Sequence, residues 1–310
     1  MSDLGPLEYM KLTIFYASYL YFPAAAYLVL KIAKQRGAKR LLAAIAFAAL
    51  TLLAYARFVE PRILLTVEHE ASLSRCFPEA GSARLALFSD THEGIFANAV
   101  PVSRIARKVN AAKPDAVLIA GDFVYFLAPD RFEKTFKELQ AIDAPVFAVL
   151  GNHDVGLPGP DVGAPLTAAL RTLDVHLLNN AQETLALNGA TAQIAGLSEL
   201  WAKGQNRTLL ERRGAVPRIV LTHNPSTILD LRPREAVDIL IAGHTHGGQI
   251  NIPFITSALT SACHVTRYGF AQTPRGLVFV TSGTGMVGLP MRLNAPPRID
   301  VINLRWRACS

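Results

Sequence analysis

Cysteine is scarce in this chain of 310 residues, which contains only Cys76, Cys263 and Cys309 and has no CxxC pair. This count and spacing exclude a zinc knuckle and a disulfide-rich scaffold, although they leave open the pairing of two of the three cysteines. A Walker loop and a GxSxG turn are also absent. The sequence therefore offers neither that type of phosphate-binding loop nor a serine nucleophile elbow.

An excess of positive charge is missing from most of the chain. Residues 1–62 carry eight lysines and arginines against three acids, a net charge of +5. Residues 63–310 carry 23 basic and 21 acidic residues, a net charge of only +2. The pI of about 9.4 therefore reflects the N-terminal region, and no basic groove for nucleic acid is indicated.

Apolar residues, in contrast, are abundant: they make up 51% of the chain and give a mean hydropathy of +0.26. Two uncharged runs lie near the N-terminus, at residues 12–30 and 41–56. As helices they would measure about 28 Å and about 24 Å, close to the bilayer core of about 30 Å. The first run predicts a transmembrane helix. The second predicts a further span, which we favour, or a helix in the membrane interface.

The charges between the two runs predict a topology. This segment contains five basic residues and no acid: Lys31, Lys34, Arg36, Lys39 and Arg40. Short basic segments stay in the cytoplasm. If both runs span, the rest of the chain lies outside; if only the first spans, it is cytoplasmic. We predict a membrane anchor at residues 1–62, a connector at 63–83 with a short strand at 63–67, and a folded domain at 84–310.

From residue 85 onwards the pattern alternates between strands and helices, which predicts βαβ units and a parallel sheet covered by helices. After residue 175 the predicted strands are shorter and closer together, so we expect a second, more mixed sheet packed on the first. Predicted helices lie at 100–112, 131–141 and 165–173. Predicted strands lie at 85–89, 116–120, 146–150, 183–187, 192–195, 248–252, 277–281 and 299–304, and two further strands begin the stretches 218–224 and 238–246.

Polar residues follow five of the predicted strands at the point where each strand ends. The carboxyl ends of parallel strands meet at one sheet edge, so we expect these side chains to lie close together. Four imidazoles, two carboxylates and one amide suit Mn²⁺, Fe or Zn²⁺ better than Ca²⁺ or Mg²⁺. Seven ligands exceed the usual four, which favours two metals sharing a carboxylate. The candidate ligands are Asp90, His92, Asp122, Asn152, His223, His244 and His246.

A single histidine at a strand end would more often be a surface or core residue. Here five of the eight histidines, His153 included, fall at strand ends, and this joint pattern favours a shared role. For His69, His176 and His264 we expect no role at the site.

The ordered blocks DTH, GD, GNHD, H and GHTH resemble the calcineurin-like metallophosphoesterase superfamily across residues 84–305. The stretches GHTHGGQINIP (243–253) and SGTGMVGLPMRLNAPPRI (282–299) further resemble its membrane-anchored bacterial branch. One departure is Phe123-Val124-Tyr125 after Gly-Asp, where that superfamily often has a further acid. The resemblance implies an α/β fold, a four-layer αββα sandwich of two mixed β-sheets flanked by helices, preceded by the transmembrane helical region.

The resemblance also implies roles for the ligands. Two divalent metal ions are expected, Mn²⁺ first and Fe or Zn²⁺ as alternatives, with Asp122 bridging them. His153 would donate a proton or a hydrogen bond to the substrate, and Asp154 would orient His153 and favour its imidazolium form, unless Asp154 is simply a turn residue. The first metal is assigned Asp90, His92, Asp122 and His246, and the second Asp122, Asn152, His223 and His244.

Other residues are expected to be structural. Arg292 and Asn294 lie in the resembling C-terminal block, where bracing is favoured over substrate contact. Asn224 either supports a ligand or caps the turn before Pro225. Trp201 is expected in the core rather than at an apolar lip for a lipid chain.

These observations predict a membrane-anchored dinuclear-metal phosphoesterase that attacks a phosphoester or pyrophosphate bond with metal-activated water. The expected partners are the membrane, here a bacterial inner membrane, and a phosphorylated small-molecule or lipid substrate, with the catalytic domain on the outer side if both runs span. An alternative is a UDP-diacylglucosamine pyrophosphatase of lipid A synthesis, whose substrate is cytoplasmic. A catalytically silent membrane scaffold and a nuclease are the other rivals, and the near-neutral catalytic domain argues against a nuclease.

Overall fold

A computed structural model describes residues 4–96, 99–187, 189–211, 214–252 and 265–310. Cys263 and His264 lie outside the described residues. The N-terminal part of the chain consists of three helices: α1 (Pro6–Ala17), α2 (Tyr21–Lys34) and α3 (Gly37–Ala54). A 3-10 turn at Ser18–Leu20 joins α1 to α2, and α3 continues through a π-helical turn at Tyr55–Val59 and a 3-10 turn at Glu60–Arg62.

Two continuous helical segments result, Pro6–Lys34 with 29 residues and Gly37–Arg62 with 26. Both are long and apolar enough to cross a membrane, with mean hydropathies of 1.4 and 2.0, and their most apolar windows are only 11% and 17% buried. The two uncharged runs of the sequence therefore lie in helices with exposed apolar surfaces. Their insertion into a bilayer stays a prediction.

The described part of the chain contains these strands: β1 (Leu65–Phe77), β2 (Gly81–Phe88), β3 (Glu93–Gly94), β4 (Ala116–Ala120), β5 (Val124–Tyr125), β6 (Val146–Val149), β7 (Val175–Leu177), β8 (Ala181–Leu187), β9 (Ala190–Gly196), β10 (Arg218–Leu221), β11 (Ile239–Ala242), β12 (Gly269–Thr273), β13 (Gly276–Val280) and β14 (Arg298–Ala308). Three helices lie between them: α4 (Val102–Ala112), α5 (Phe132–Phe136) and α6 (Gly163–Thr172).

The strands form two six-stranded sheets and one small pair. The first sheet has the order β1-β14-β2-β4-β6-β7, the second has the order β12-β13-β11-β10-β9-β8, and β3 pairs with β5. Both sheets are mixed: β2, β4, β6 and β7 run parallel, as do β9, β10, β11 and β13, whereas β14 is antiparallel to β2 and both β8 and β12 are antiparallel to their neighbours. The predicted α/β fold with two mixed sheets is confirmed.

Strand β4 illustrates why these residues form a buried strand. All five of its residues are buried, as expected of a parallel strand covered on both faces, which reads as a continuous apolar run. Val117 and Ile119 pack with the helices α4, α5 and α6 on the outer face of the first sheet. Leu118 and Ala120 face the second sheet. The main core thus lies between the two sheets.

The fourth layer contains short 3-10 helices. The outer face of the second sheet packs against Leu210 and Ile228, which belong to the 3-10 turns Arg207–Leu210 and Pro225–Ile228. Within the described ranges no longer helix covers this face.

Other segments also differ from the sequence-based predictions. Within the predicted connector, β1 is a 13-residue strand parallel to β14 at the edge of the first sheet, far longer than the strand predicted at 63–67. The strand predicted at 248–252 is absent: a 3-10 turn at His246–Gly248 precedes an isolated bridge from Ile250 to Leu293. The helix predicted at 131–141 is reduced to α5 between two 3-10 turns.

Cys76 in β1 and Cys309 after β14 form a disulfide bond, with their Cα atoms 4.9 Å apart. The sequence left this pairing open. Because β1 and β14 run parallel and adjacent, their C-terminal ends lie side by side, which brings the two thiols together. Disulfides are typical of proteins outside the cytoplasm.

Candidate metal centre

The seven predicted ligands lie directly after five strands at one end of the two packed sheets. Asp90 and His92 follow β2, Asp122 follows β4 and Asn152 follows β6. In the second sheet His223 follows β10, and His244 and His246 follow β11. All seven carry little or no exposed surface except His244, which is part-buried. The structure thus brings these five strand ends together at one edge, as expected.

The backbone at this edge is unusual. Five of the seven candidate ligands have positive φ angles, between 45° and 73°, a region that residues other than glycine rarely occupy. Such conformations cost on the order of 1–3 kcal/mol each and persist only when the surroundings enforce them. The five residues are Asp90, His92, Asp122, His244 and His246.

Gly121 allows the close approach of two of these turns. Its φ is +81°, and a Cβ at this position would lie 2.6 Å from the nitrogen of Gly151 and 2.9 Å from Nδ1 of His223. Glycine is therefore required immediately before Asp122, where the first sheet meets the histidine of the second.

One group of ligand atoms surrounds Asp90. Its Oδ1 lies 3.3 Å from Nε2 of His246 and 3.8 Å from Nε2 of His92, and the two ring nitrogens are 3.0 Å apart. Ligands about 2.1 Å from one metal ion, at right angles to each other, would be about 3 Å apart. The spacing fits a shared cation.

A second group surrounds Asn152. Its Oδ1 lies 2.9 Å from Nε2 of His223 and 3.0 Å from Nδ1 of His244, and these two nitrogens are 3.1 Å apart. Nδ1 of His223 donates a hydrogen bond of 2.7 Å to the carbonyl of Ala120. This bond fixes the tautomer and leaves the lone pair of Nε2 directed at the group.

Asp122 lies between the two groups. Its Oδ2 is 3.6 Å from Nε2 of His92 in the first group and 3.2 Å from Nε2 of His223 in the second. Its Oδ1 accepts a hydrogen bond of 2.9 Å from the backbone nitrogen of His153. The arrangement matches the shared carboxylate that the sequence predicts.

One buried oxygen of Asp90 indicates whether a metal ion fits the first group of ligands. Oδ2 of Asp90 accepts hydrogen bonds from the Ser89 hydroxyl and from the backbone nitrogen of His244. Oδ1 of Asp90 is buried and has no hydrogen-bond partner in the described part of the chain. A buried carboxylate oxygen facing two imidazoles is costly unless a cation binds it. The residues therefore fit a metal ion at this point.

A family model described as calcineurin-like phosphoesterase matches residues 83–248, more than half of the chain. The chain belongs to this family. The match begins in β2 and ends just after His246, so it includes all seven candidate ligands.

Curated relatives of this phosphoesterase cover most of its length. An uncharacterized metallophosphoesterase, YkuE of Bacillus subtilis, is 29% identical over 89% of this chain and 98% of its own. Phosphodiesterase YaeI of Escherichia coli is 27% identical over 81% of this chain and 92% of its own. The UDP-2,3-diacylglucosamine pyrophosphatase LpxG of Chlamydia trachomatis is 25% identical over 72% of this chain and 81% of its own.

Electrostatics in the phosphoesterase site favour the neutral ring at three of the four candidate histidines. Burial lowers the pKa of His92 and of His244 to about 3 and lowers the pKa of His246 well below its ordinary value. A neutral ring is the form that binds a metal. At the fourth, His223, burial is outweighed by the carboxylate of Asp122, which raises the pKa of His223 well above its ordinary value. Burial raises the pKa of Asp90 to about 6, so a bound cation would stabilise the ionised form of Asp90.

His153 lies beside the candidate ligands. A ring nitrogen of His153 is within 4.8 Å of the ligand atoms of His92 and Asp122. Its Nδ1 lies 3.1 Å from the carbonyl oxygen of Pro158 and donates a hydrogen bond to it, so Nε2 is the nitrogen left for a substrate. Burial is the main cause that lowers the pKa of His153.

Asp154 does not make the expected contact with His153. Its carboxylate accepts hydrogen bonds from the backbone nitrogens of Gly151 (2.9 Å), Val124 (3.1 Å) and Phe123 (3.3 Å). Burial, followed by the charge of Asp122, raises the pKa of Asp154 to about 7. Consecutive side chains on this tight turn point in different directions, so Asp154 does not face the ring of His153. Its hydrogen bonds instead connect the loop after β6 with the loop after β4.

Arg292, Asn294 and Asn224 have structural contacts, as expected for the first two. The fully buried guanidinium of Arg292 donates hydrogen bonds to the backbone carbonyls of Gly285 and Ser282. Asn294 donates to the carbonyl of Asn251, and Asn224 caps the turn that begins at Pro225 by accepting from Ser226.

The position of Trp201 differs from the expected position in the core. Trp201 is 52% exposed, and its ring centroid lies 4.7 Å from that of His244. Neighbouring Leu197 is fully buried. The loop after β9 therefore presents an aromatic side chain at the rim of the site.

Two further residues near the site were not identified from the sequence. Glu199 is buried, burial raises its pKa, and its Oε2 has no hydrogen-bond partner among the described residues. Tyr125 packs edge-to-face against His153, with ring centroids 4.9 Å apart. The only sequence signal for Tyr125 was the unusual Phe-Val-Tyr after Gly-Asp.

The substitution Asp122→Asn should lower the metal content of the protein. Because Asp122 faces both ligand groups, we expect bound Mn²⁺ to fall from two equivalents per chain to fewer than one, measured by elemental analysis after loading and desalting. Asp143→Asn on the exposed surface is the matched control and should keep two equivalents. Full metal content in Asp122→Asn would contradict the bridging position.

Proposed function

We propose that the chain is a membrane-anchored phosphohydrolase that cleaves a phosphoester or pyrophosphate bond with water at a two-metal centre. The observation that carries the proposal is the position of Asp122 between two groups of ligands spaced for two cations. The unpartnered Oδ1 of Asp90 supports a cation in the first group. The first cation would be held by Asp90, His92, Asp122 and His246, and the second by Asp122, Asn152, His223 and His244.

Two divalent cations in such a site would lower the pKa of a water molecule and offset the charge of the phosphoryl oxygens. The protein itself holds His153 beside them. In the neutral ring of His153 the proton is on Nδ1, which donates a hydrogen bond to the carbonyl oxygen of Pro158. Nε2 can therefore donate a proton to the leaving oxygen only when the ring is in the imidazolium form. The negative charge of a bound phosphoryl group favours that form. The same donor can bind the phosphoryl oxygens.

Hydrolysis of chromogenic aryl phosphates tests this function. The full chain, stripped of metal with a chelator, should be inactive toward an aryl phosphodiester and monoester, and Mn²⁺, Fe²⁺ or Zn²⁺ should restore turnover. His153→Ala should retain two metals but lower kcat by roughly 100-fold or more, the usual contribution of a positioned acid or base. His176→Ala, which removes an exposed histidine, is the control and should leave kcat unchanged.

The alternative outcomes are informative. Wild-type protein that binds no metal would refute the two-metal centre and favour a catalytically silent scaffold. Protein that binds two metals but hydrolyses neither compound would refute a general phosphoesterase and require a selective substrate pocket.

For the substrate we favour a phosphorylated or pyrophosphate-linked lipid, or another phosphoester of the cell envelope. Trp201 offers an exposed apolar ring beside His244. The catalytic domain contacts the membrane helices at short range, with the backbone nitrogen of Arg292 donating to the carbonyl of Ala56 at 2.9 Å. The carboxylate of Glu60 also accepts a hydrogen bond of 2.7 Å from the nitrogen of Ala295. The site is therefore close to the end of α3.

Two observations favour the outer side of a bacterial inner membrane. The basic turn between α2 and α3 lies at the opposite end of this helix pair from the catalytic domain, and basic turns stay in the cytoplasm. The disulfide between Cys76 and Cys309 is typical of an oxidising compartment. A UDP-diacylglucosamine pyrophosphatase activity, as in the name of the relative LpxG, would need the opposite orientation. A nuclease is disfavoured by the near-neutral catalytic domain.

Sealed membrane vesicles test the substrate class and the orientation together. Right-side-out vesicles should hydrolyse an added short-chain lipid phosphodiester without detergent, and inside-out vesicles should do so only after permeabilisation. Trp201→Ala should raise KM for this lipid several-fold without changing KM for the aryl phosphodiester, because only the lipid has an apolar tail to contact the indole.

The matched control is Leu289→Ala, another exposed large apolar residue. Activity confined to inside-out vesicles would overturn the proposed orientation. Equal KM values for the lipid in Trp201→Ala and wild type would remove Trp201 from the substrate site.

A further inference from the structure

Helix α1 has its polar and apolar faces arranged in the opposite way from a helix on the surface of a soluble domain. Its buried face contains Glu8, Lys11 and Phe15. Its outward face presents large apolar side chains that are at least half exposed, namely Leu7, Tyr9, Met10 and Tyr16. A helix in water would turn these residues inward. α1 therefore fits a position between the catalytic domain and lipid.

The polar face of α1 contacts Tyr125 of the catalytic domain. The Tyr125 hydroxyl donates a hydrogen bond of 3.0 Å to Oε1 of Glu8 and accepts one from Nζ of Lys11. Glu8 and Lys11 also form an ion pair with N and O atoms 3.3 Å apart. Both charged side chains are about 90% buried, which is costly unless their partners compensate.

Aromatic and cationic contacts hold α1 against the domain next to this network. The ring of Phe15 stacks on the ring of Phe96, with centroids 5.4 Å apart. The guanidinium of Arg57 lies 4.2 Å above the ring of Phe15, and its Nε donates to the hydroxyl of Ser18. The network around Tyr125 is thus part of a continuous interface rather than a single contact.

Tyr125 connects this interface to the metal centre. Its ring packs edge-to-face against His153, with centroids 4.9 Å apart, and against His92, with centroids 6.1 Å apart. The hydroxyl binds α1 while the ring limits the positions of His153. Contacts thus run without interruption from Glu8 and Lys11 in α1 to the histidine beside the candidate metal ligands.

We propose that α1 is part of the active site, and that Glu8 and Lys11 are positioning residues that hold Tyr125 against His153. The proposal rests on the proposed phosphohydrolase function. It makes catalysis depend on the docking of the membrane helix, even for a substrate that never touches lipid. The enzyme would then be fully active only when its first helix is seated, which confines hydrolysis to the anchored form.

Substitutions that break the network without removing the ring of Tyr125 test this proposal in the full chain, purified in detergent with Mn²⁺. Lys11→Met, Glu8→Gln and Tyr125→Phe should each lower kcat for the soluble aryl phosphodiester roughly tenfold, as changes to outer partners of a metal centre do. KM and the two bound metals should be unchanged. The double variant Lys11→Met/Tyr125→Phe should lose no more than either single variant, because both remove the same interaction.

Two controls separate positioning from general loss of structure. Lys34→Met makes the same change at the exposed far end of α2 and should keep wild-type kcat. Lys11→Arg, which preserves the charge and a donor, should recover part of the activity. A readout that does not need turnover is the rate at which diethyl pyrocarbonate modifies His153, followed by mass spectrometry, which should rise in Lys11→Met and Tyr125→Phe but not in Lys34→Met.

The outcomes distinguish the two proposals. If the wild type hydrolyses the aryl compound and the three variants match it in kcat and in His153 modification, the positioning role is refuted. Loss of bound metal or of folded protein in the three variants would refute it too, since the effect would then be general. If the wild type itself is inactive with every metal, the proposed function fails, and the rate of His153 modification alone decides whether α1 holds Tyr125 in place.

Discussion

The buried carboxylate of Asp122 is the interaction on which the rest of the site depends. It is 1% exposed and faces imidazoles from both sheets, at 3.6 Å and 3.2 Å. Asp90 and Asp154 are fully buried close to it, and burial raises the pKa of each, to about 6 and about 7. Three carboxylates in so small a volume repel one another when ionised. Cations bound between them remove that penalty, which is why we read the cluster as a metal centre.

The packing of the two sheets brings the residues of this cluster together. Each sheet contributes parallel strands whose carboxyl ends lie at the same edge. Asp122 follows β4 in the first sheet and His223 follows β10 in the second, so the two side chains meet across the interface between the sheets. The ligand turns hold positive φ angles, and the surrounding loops enforce them: Arg292 bonds the carbonyls of the loop at 282–295, and Asp154 bonds the loop after β4. Helix α1 then adds Glu8 and Lys11 at the side of Tyr125.

The sequence predicted the fold class and the seven clustered residues because both have local signatures: apolar strands that end in glycine and a polar residue, in a known order. Contacts between distant segments have no such signature. Lys11 and Tyr125 are separated by 114 positions, and a run that reads as a membrane span gives no hint that one face of it packs beside the candidate metal centre. The long strand β1 was missed because Glu68, His69 and Glu70 stand in a row in its middle, so it lacks an apolar run, and because pairing with β14 stabilises it. Asp154 bonds the loop backbone, in line with the alternative of a turn residue, and Trp201 lies outside the core, because the tertiary structure sets the side-chain direction in a turn.

Electron paramagnetic resonance of the Mn²⁺-loaded protein measures most directly whether Asp122 joins two cations. Metal ions that share a carboxylate at about 3.5–4 Å, as in two-metal hydrolases, should give an exchange-coupled spectrum at two equivalents of Mn²⁺ per chain, and this coupling should vanish in Asp122→Asn. A spectrum of two independent Mn²⁺ ions, or saturation at one equivalent, would contradict the dinuclear centre.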